Sequence, residues 1–203
     1  MIGTFRHKGL EEVFARGTSR RIGAEYLRKC VRILQLLEAA TLPEDLNIAG
    51  LRFHGLQGKP QRWAVSVSGN LRITFGWLGD EALDVDFEDY HLRKAAMGEK
   101  NGLPPVHPGE IIKQDILPGS GMSVASAARA MAVSRQLLHD ILAEKRPLSA
   151  VMCLKLARLF GGSPEVWMRL QATYDLKLAS QDEAVMARVR QIVPMQMNEA
   201  TLP

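Results

Sequence analysis

The fold of the first part of the chain is decided by Arg62-Trp63-Ala64-Val65-Ser66-Val67-Ser68-Gly69-Asn70-Leu71-Arg72-Ile73-Thr74-Phe75-Gly76-Trp77. Apolar and polar residues alternate on both sides of Ser68-Gly69-Asn70, which is the pattern of two strands joined by a tight turn. After the turn residues Gly79-Asp80, a further alternation runs through Leu83, Val85 and Phe87. The sequence therefore predicts an antiparallel meander.

Two helices are predicted before this sheet. Gly9 to Ala15 forms the first, after a short strand from Ile2 to His7. Between Ser19 and about Ala40, apolar residues recur every three or four positions, as on one face of a helix. Arg21, Arg28 and Arg32 fall off that stripe and are expected to form a basic outer face. Helices followed by an antiparallel meander are typical of the α+β class.

The second part of the chain is predicted to be all α-helical. His107-Pro108 begins a helix that Pro118-Gly119 is expected to break near Ile116. Serines in the N-cap position begin several later helices, and Gly161-Gly162 closes the one that ends at Phe160. The apolar stripe of the following helix is Trp167, Leu170, Tyr174 and Leu178.

A polar segment from Leu92 to Pro105, without aromatic residues and ending in Gly and Pro, separates the two parts. We therefore expect a domain over residues 1–92, a linker over 93–106 and a second domain over 107–203. Met97, inside the linker, is what the start codon of a fused second reading frame would look like.

Composition excludes several classes of protein. With 46% hydrophobic and 24% charged residues, the chain fits a globular protein. Cys30 and Cys153 lie in apolar helical patterns without disulfide or metal-site spacing, so we expect both to be buried. Neither a signal peptide nor a membrane-spanning stretch is visible, which predicts a cytoplasmic protein without a membrane partner. The first 79 residues hold 12 basic and 6 acidic side chains, which suits a polyanion or a solvated basic face.

Residues Val124 to Ala143 have the pattern of a helix-turn-helix. The second helix begins at Ser134, so Ser134, Arg135, Gln136 and, one turn on, His139 are the candidates for base contacts. Lys145 and Arg146 follow this helix as candidate phosphate contacts. Ala132 stands in the turn where glycine is common, so a left-handed conformation there carries strain. The pattern alone also fits a plain helical hairpin.

The second part resembles HigA-type antitoxins, which are helix-turn-helix operator binders of the XRE group. The resemblance rests on His107-Pro108-Gly109-Glu110, Val133-Ser134-Arg135-Gln136, Lys145-Arg146-Pro147, Gly161-Gly162-Ser163-Pro164-Glu165-Val166-Trp167 and Leu170-Gln171-Ala172-Thr173-Tyr174-Asp175-Leu176. It implies an operator-binding homodimer that also contacts a toxin.

Candidate catalytic side chains in the first part are His54, Arg72 and the run Asp89-Tyr90-His91 at the end of the last strand. Together they could supply a base, an acid and an anion clamp. Each is equally compatible with a structural or solvent-facing role, and their convergence depends on the register of the sheet.

The first part resembles HigB toxins of the RelE superfamily, which are α+β endoribonucleases that cleave mRNA on the ribosome. The matching segments are Phe5-Arg6-His7-Lys8-Gly9-Leu10, Leu51-Arg52-Phe53-His54-Gly55-Leu56-Gln57-Gly58, Trp63-Ala64-Val65-Ser66-Val67, Asn70-Leu71-Arg72-Ile73-Thr74-Phe75, Asp84-Val85-Asp86 and Asp89-Tyr90-His91. The resemblance implies that His54, Asp89, Tyr90 and His91 are catalytic, that Arg72 contacts phosphate, and that no metal or other cofactor is needed. Gln57 stands where the family commonly has lysine.

We therefore expect an α+β RelE-like domain, with two helices on an antiparallel sheet, followed by an all-α helix-turn-helix domain. The expected function is a ribosome-dependent mRNA endoribonuclease and its neutralising, operator-binding antitoxin in one chain, in contact with each other. The alternative is a DNA-binding regulator whose first domain is a non-catalytic sensor or dimerisation module. Expression of residues 1–92 alone separates the two, since only the toxin arrests growth.

Overall fold

The computed structural model describes residues 1–89 and 104–192. Positions 90–103, which include Tyr90, His91 and most of the predicted linker, lie outside the described residues, as do positions 193–203. The first part contains α1 (Lys8–Arg16), α2 (Ala24–Ala39), a 3-10 turn (Pro43–Leu46), β1 (His54–Leu56), β2 (Arg62–Ser66), β3 (Leu71–Leu78) and β4 (Glu81–Asp89). The second part contains α3 (Pro108–Ile111), a π-helical segment (Ile112–Ile116), α4 (Leu117–Ser120), α5 (Val124–Ala130), α6 (Arg135–Leu142), α7 (Ala150–Phe160), α8 (Pro164–Gln181) and α9 (Glu183–Val189).

The strands form one antiparallel sheet in the order β1-β2-β3-β4, which confirms the predicted meander. Val65 lies opposite Ile73, so the apolar residues of the two strands share one face, as the alternation predicted. The N-terminal residues extend the sheet beyond β4, because Ile2 and Phe5 pair in parallel with Ala82 and Val85. The prediction of an α+β part followed by a helical part is confirmed.

Helix α2 joins the two parts of the molecule. Its residues Cys30 to Leu37 are all buried, including the polar Arg32 and Gln35. A helix that is buried all round is covered on more than one side. Helix α2 contacts α1 of the first part and α8 of the second, and the buried residues of both parts form a single core cluster.

Two predicted helix boundaries are wrong. Helix α2 begins at Ala24, because the Ser19 hydroxyl donates to Glu12 at 2.6 Å and accepts from the Arg21 N–H at 3.0 Å, which holds the preceding turn. Pro118-Gly119 does not end the first helix of the second part, since helical backbone continues to Ser120. The Leu117 N–H bonds five residues back to Ile112, and this wider turn leads into a short helix in which Pro118 occupies the first turn.

The later helices follow their predicted signals. Side chains of Ser123, Ser134, Ser149 and Ser163 all accept the N-terminal N–H bonds of their helices. Trp167 and Leu170 are buried as predicted, whereas Leu178 is 44% exposed, because the second half of α8 extends past the core. Both cysteines are buried. Within residues 1–89 and 104–192, no helix is long and apolar enough to cross a membrane.

Candidate active site and nucleic-acid interface

His54 begins β1 and has a fixed ring orientation. Its Nδ1 lies 2.9 Å from the carbonyl oxygen of Arg52, a residue with the positive φ of 51°. A carbonyl oxygen only accepts, so this contact requires the proton on Nδ1 and leaves Nε2 with its lone pair. Neutral His54 therefore presents a base at Nε2.

Arg72 reaches this base across the sheet. Its Nη1 lies 3.4 Å from Nε2 of His54, although β2 separates β3 from β1. His54 pairs with Ala64 of β2, and Arg72 pairs with Ser66, two positions further along that strand, so the guanidinium reaches His54 diagonally across β2. The sheet thus brings together a base and a cation on the face opposite the helices.

Asp89 is the one remaining predicted catalytic residue whose backbone the structure describes, and it ends β4. Asp89 pairs with Leu71, next to the pair of Glu88 and Arg72, so β4 ends beside the strand that carries Arg72. Tyr90 and His91 are outside the described residues.

Arg62 is a further basic side chain on this face that was not singled out from the sequence. It donates to Thr74 Oγ1 at 3.1 Å and to the Asp84 carbonyl at 2.9 Å, and burial lowers its pKa, although Arg62 remains cationic at neutral pH. Strand alternation predicts its face, but nothing local predicts its partners. Arg62 is four positions from Ser66, which opposes Arg72, so the backbones of the two arginines are about 13 Å apart along the strand direction.

The helix-turn-helix pattern has the predicted geometry. Ala132 in the turn has a φ of 49°, the left-handed conformation that favours glycine. The Ser134 hydroxyl caps α6 by accepting the Leu137 N–H at 3.1 Å, and the Gln136 amide donates to Asp140 at 2.8 Å. All six residues predicted to contact DNA are exposed: Ser134, Arg135, Gln136, His139, Lys145 and Arg146.

Comparisons with known proteins identify both parts. Residues 3–91 match the family described as "RelE-like toxin of type II toxin-antitoxin system HigB". Endoribonuclease HigB of Proteus vulgaris is 34% identical over 92 residues, which are 45% of this chain and 100% of that protein. Antitoxin HigA-1 of Vibrio cholerae is 33% identical over 72 residues, 36% of this chain and 68% of that protein. The chain belongs to the HigB and HigA families of toxin–antitoxin proteins.

A solved structure titled "Pseudomonas aeruginosa antitoxin HigA with higBA promoter" is 37% identical, covers 46% of this chain and 100% of that chain, and has a TM-score of 0.42. We refer below to residues 1–89 as the HigB-like part and to residues 104–192 as the HigA-like part. Within these residues, no three His, Cys, Asp or Glu side chains come together as metal ligands would.

The two parts contact each other through buried charges. Asp115 accepts hydrogen bonds from both Nε and Nη2 of Arg32, the latter at 3.1 Å, and Glu110 accepts one from Arg32 Nη1 at 3.1 Å. Glu110 also accepts from Arg28, and Lys29 lies 3.7 Å from Asp115. The predicted basic outer face is therefore wrong for Arg32, which two carboxylates from about 80 residues away cover, whereas Arg21 and Arg28 remain more than half exposed.

Backbone contacts complete this interface. The Ala49 N–H donates to the Phe160 carbonyl at 2.8 Å, and the Gly162 N–H donates to the Asn47 carbonyl at 3.3 Å. Gly50 and Gly119 approach so closely that a Cβ at Gly119 would lie 2.1 Å from the Gly50 Cα. The HigA-like part therefore docks on the helix side of the sheet and on the loop before β1, whereas His54 and Arg72 lie on the other face.

Proposed function

We propose that the HigB-like part is a ribosome-dependent mRNA endoribonuclease with a RelE-like arrangement, and that the HigA-like part neutralises it and represses its own operator. The observation that carries the catalytic half is the contact between Nε2 of His54 and the Arg72 guanidinium. Membership of a toxin family that includes a HigB endoribonuclease supports it.

The reaction that suits these groups is attack by a ribose 2′-hydroxyl on the adjacent phosphorus. A base takes the hydroxyl proton, the bond from phosphorus to the 5′ oxygen breaks, and an acid gives that oxygen a proton, which leaves a 2′,3′-cyclic phosphate. Nε2 of His54 can act as the base, and Arg72 can stabilise the charge that develops on the phosphoryl oxygens. Asp89, Tyr90 and His91 are proposed to complete the site. DNA lacks the 2′-hydroxyl and is therefore no substrate.

Replacing Arg72 or, as a control, Arg62 with lysine tests this site. Lysine keeps the charge but loses the planar fork that fits a phosphoryl group. In residues 1–92 expressed alone, Arg72→Lys should lower mRNA cleavage about 100-fold, while Arg62→Lys, with its backbone about 13 Å away on the same face, should change it little. His54→Ala should abolish growth arrest.

A folded His54→Ala variant that still arrests growth and cuts mRNA would overturn the proposed site. A wild-type HigB-like part that neither cuts mRNA nor arrests growth would favour the non-catalytic regulator instead.

The DNA-binding half of the proposal rests on the exposed N-terminal turn of α6. Arg135 and Gln136 stand where a recognition helix meets base edges, and Lys145 and Arg146 follow the helix, where phosphates pass. Similarity to an uncharacterized HTH-type transcriptional regulator of Escherichia coli supports this role. We propose that the HigA-like part forms a homodimer that presents two such helices to an inverted repeat.

A further inference from the structure

Three cations on one side of α2 form the centre of the contact between the two parts. We call Arg28, Lys29 and Arg32 the α2 basic face. Their partners, Glu110 and Asp115, come from the first helical segment of the HigA-like part. If the HigA-like part moved away, these three cations would lose Glu110 and Asp115 as partners.

The partner groups have the geometry of phosphate oxygens. Asp115 presents two oxygens to the Nε and Nη2 fork of Arg32, the bidentate arrangement that guanidinium groups make with carboxylates and phosphates alike. Glu110 accepts hydrogen bonds from both Arg32 and Arg28, as a second phosphate of an RNA chain would.

Stability of the interface does not by itself account for three cations. A buried ion pair gives little net stability compared with apolar residues of similar volume. The side chains of Arg28 and Lys29 are 53% and 26% exposed, so they contribute charge more than packing. All three cations are accounted for if this surface binds a polyanion when the HigA-like part does not cover it.

The surroundings of α2 are also basic. Arg16, Arg20 and Arg21 line a concavity of about 460 Å³ between α1 and the loop that precedes α2, where Glu12 is the acidic residue and pairs with Arg21. Arg20 and Arg21 are exposed in the docked chain. The segment that leads into α2 thus adds a second group of cations to the HigB-like part, which favours a long phosphate backbone over a single small anion.

We propose that the α2 basic face is an RNA-backbone-binding surface of the HigB-like part, and that Glu110 and Asp115 take the places of phosphates while the two parts are docked. This inference rests on the proposed function, since it names a surface that the nuclease uses to hold its RNA. Docking and RNA binding are then mutually exclusive, so docking lowers the apparent affinity for RNA and bound RNA opposes docking.

The test uses the full chain with DNA contacts removed by Arg135→Ala, Lys145→Ala and Arg146→Ala. In this background, Gly119→Ala undocks the parts without altering any charge, because its Cβ would meet the Gly50 backbone. Gly69→Ala is the matched control, since no atom lies within 4 Å of a Cβ there. The probe is a fluorescent 2′-O-methyl RNA, which cannot be cleaved, and binding is followed by anisotropy between about 50 and about 200 mM salt.

We expect Gly119→Ala to tighten RNA binding roughly tenfold and to steepen the salt dependence by about two units, as for three phosphate contacts on a single strand. Adding Arg28→Ala and Lys29→Ala should reverse most of both effects, and Gly69→Ala should have neither. If hydrogen exchange shows that the Gly119→Ala chain stays docked, Glu110→Gln with Asp115→Asn removes the competing carboxylates, with the same expectations.

An undocked chain whose RNA affinity is unchanged, or is unaffected by loss of Arg28 and Lys29, would overturn the inference. Because the probe cannot be cut, this result is separate from catalysis. A chain that binds the probe as expected but never cleaves natural mRNA contradicts only the proposed function.

Discussion

Arg32 differs from its neighbour Arg28 in how much of it is exposed. Its side chain is 9% exposed and neutralises Asp115, which is 3% exposed. Arg32→Ala should therefore lower the free energy of unfolding of the full chain by about 3–5 kcal/mol, because it leaves buried carboxylates without their main partner. Arg28, which is 53% exposed, is the matched control, and Arg28→Ala should cost less than about 1 kcal/mol. Urea denaturation measures both. If both variants lost the same free energy of unfolding, Arg32 would contribute no more than an exposed ion pair does.

His107 makes the HigA-like part sensitive to acid. Its Nδ1 accepts the Gly109 N–H at 2.9 Å at the start of α3, a bond that protonation of this nitrogen removes. Burial lowers the pKa of His107, although Glu144, Asp175 and the Arg146 backbone act in the opposite direction. The folded state therefore favours the neutral ring. The stability that this gives is present above the unfolded-state pKa of about 6.5 and is lost as the pH falls through the lowered pKa.

We expect wild-type stability to fall as the pH drops below about 6.5. His107→Asn keeps a side-chain acceptor for the helix N-terminus but does not titrate, so it should reduce this loss. His7, which caps α1 and whose pKa is also lowered mainly by burial, should account for a further share. Thermal unfolding across this pH range is the measurement. A loss that is as steep in His107→Asn as in wild type would exclude His107 as its source.

At the scale of single residues, sequence patterns predict which residues are candidates for a site better than they predict which residues contact each other. The sequence identifies His54 and Arg72 as candidates, but their contact depends on the register that places His54 opposite Ala64 and Arg72 opposite Ser66. The periodicity places Arg32 off the apolar stripe and so predicts an exposed side chain, but Arg32 is buried. Its partners lie about 80 residues away, and no local pattern carries that information.

The turn between α5 and α6 holds a strained residue. Ala132 adopts a φ of 49°, a conformation that costs a residue with a Cβ about 1–2 kcal/mol relative to the right-handed one. Ala132→Gly should relieve this strain, and the greater flexibility of glycine in the unfolded chain offsets about 0.4–1 kcal/mol of the gain. We expect a small net rise in the free energy of unfolding. A decrease of more than about 1 kcal/mol would show that the methyl group of Ala132 stabilises the turn.

The recognition helix is expected to read bases and phosphates with different residues. Arg135→Ala should weaken binding to the operator by about 1–3 kcal/mol and relax the preference at one base position. Lys145→Ala should weaken binding to all duplexes alike and reduce the salt slope by about one unit. Arg190→Ala, in α9 and paired with Glu183, is the control and should do neither.

Selection from random duplexes gives the operator for this comparison. We expect an inverted repeat with half-sites about 34 Å apart, one turn of the DNA helix. A selection that returns no such motif would leave contact with the HigB-like part as the role of this helical part.

Elements with regular periodicity or strong caps were predictable, and the irregular ones were not. The hairpin around Gly69 and the serine-capped helices follow from local rules. The helix through Pro118 does not, because a proline normally ends a helix and only the wider turn of Ile112–Ile116 accommodates it here.

The whole molecule has one continuous core, and this predicts cooperative unfolding. The full chain should melt in a single calorimetric transition, since the buried residues of both parts form one cluster. Gly119→Ala should split this transition into two, because the new Cβ would push the parts apart at Gly50. Gly69→Ala should keep the single transition. Two transitions in the wild-type chain would mean that the interface is weaker than its contacts indicate.

The arrangement of the two parts was the least predictable feature of the chain. Sequence patterns indicate where each part begins but not which surfaces meet. Gly50 and Gly119 look like ordinary turn and helix-end glycines, and their close approach is visible only in the folded chain.

The docked interface joins two segments of the same polypeptide, so its occupancy does not depend on how many copies a cell contains. Two separate proteins dissociate on dilution, as mass action requires, and their ratio changes whenever one is degraded faster than the other. Each copy of this chain carries one toxin-like and one antitoxin-like part, and a low copy number does not separate them. Release of the HigB-like part therefore requires a chemical event, such as cleavage of the connecting segment, or a competing ligand.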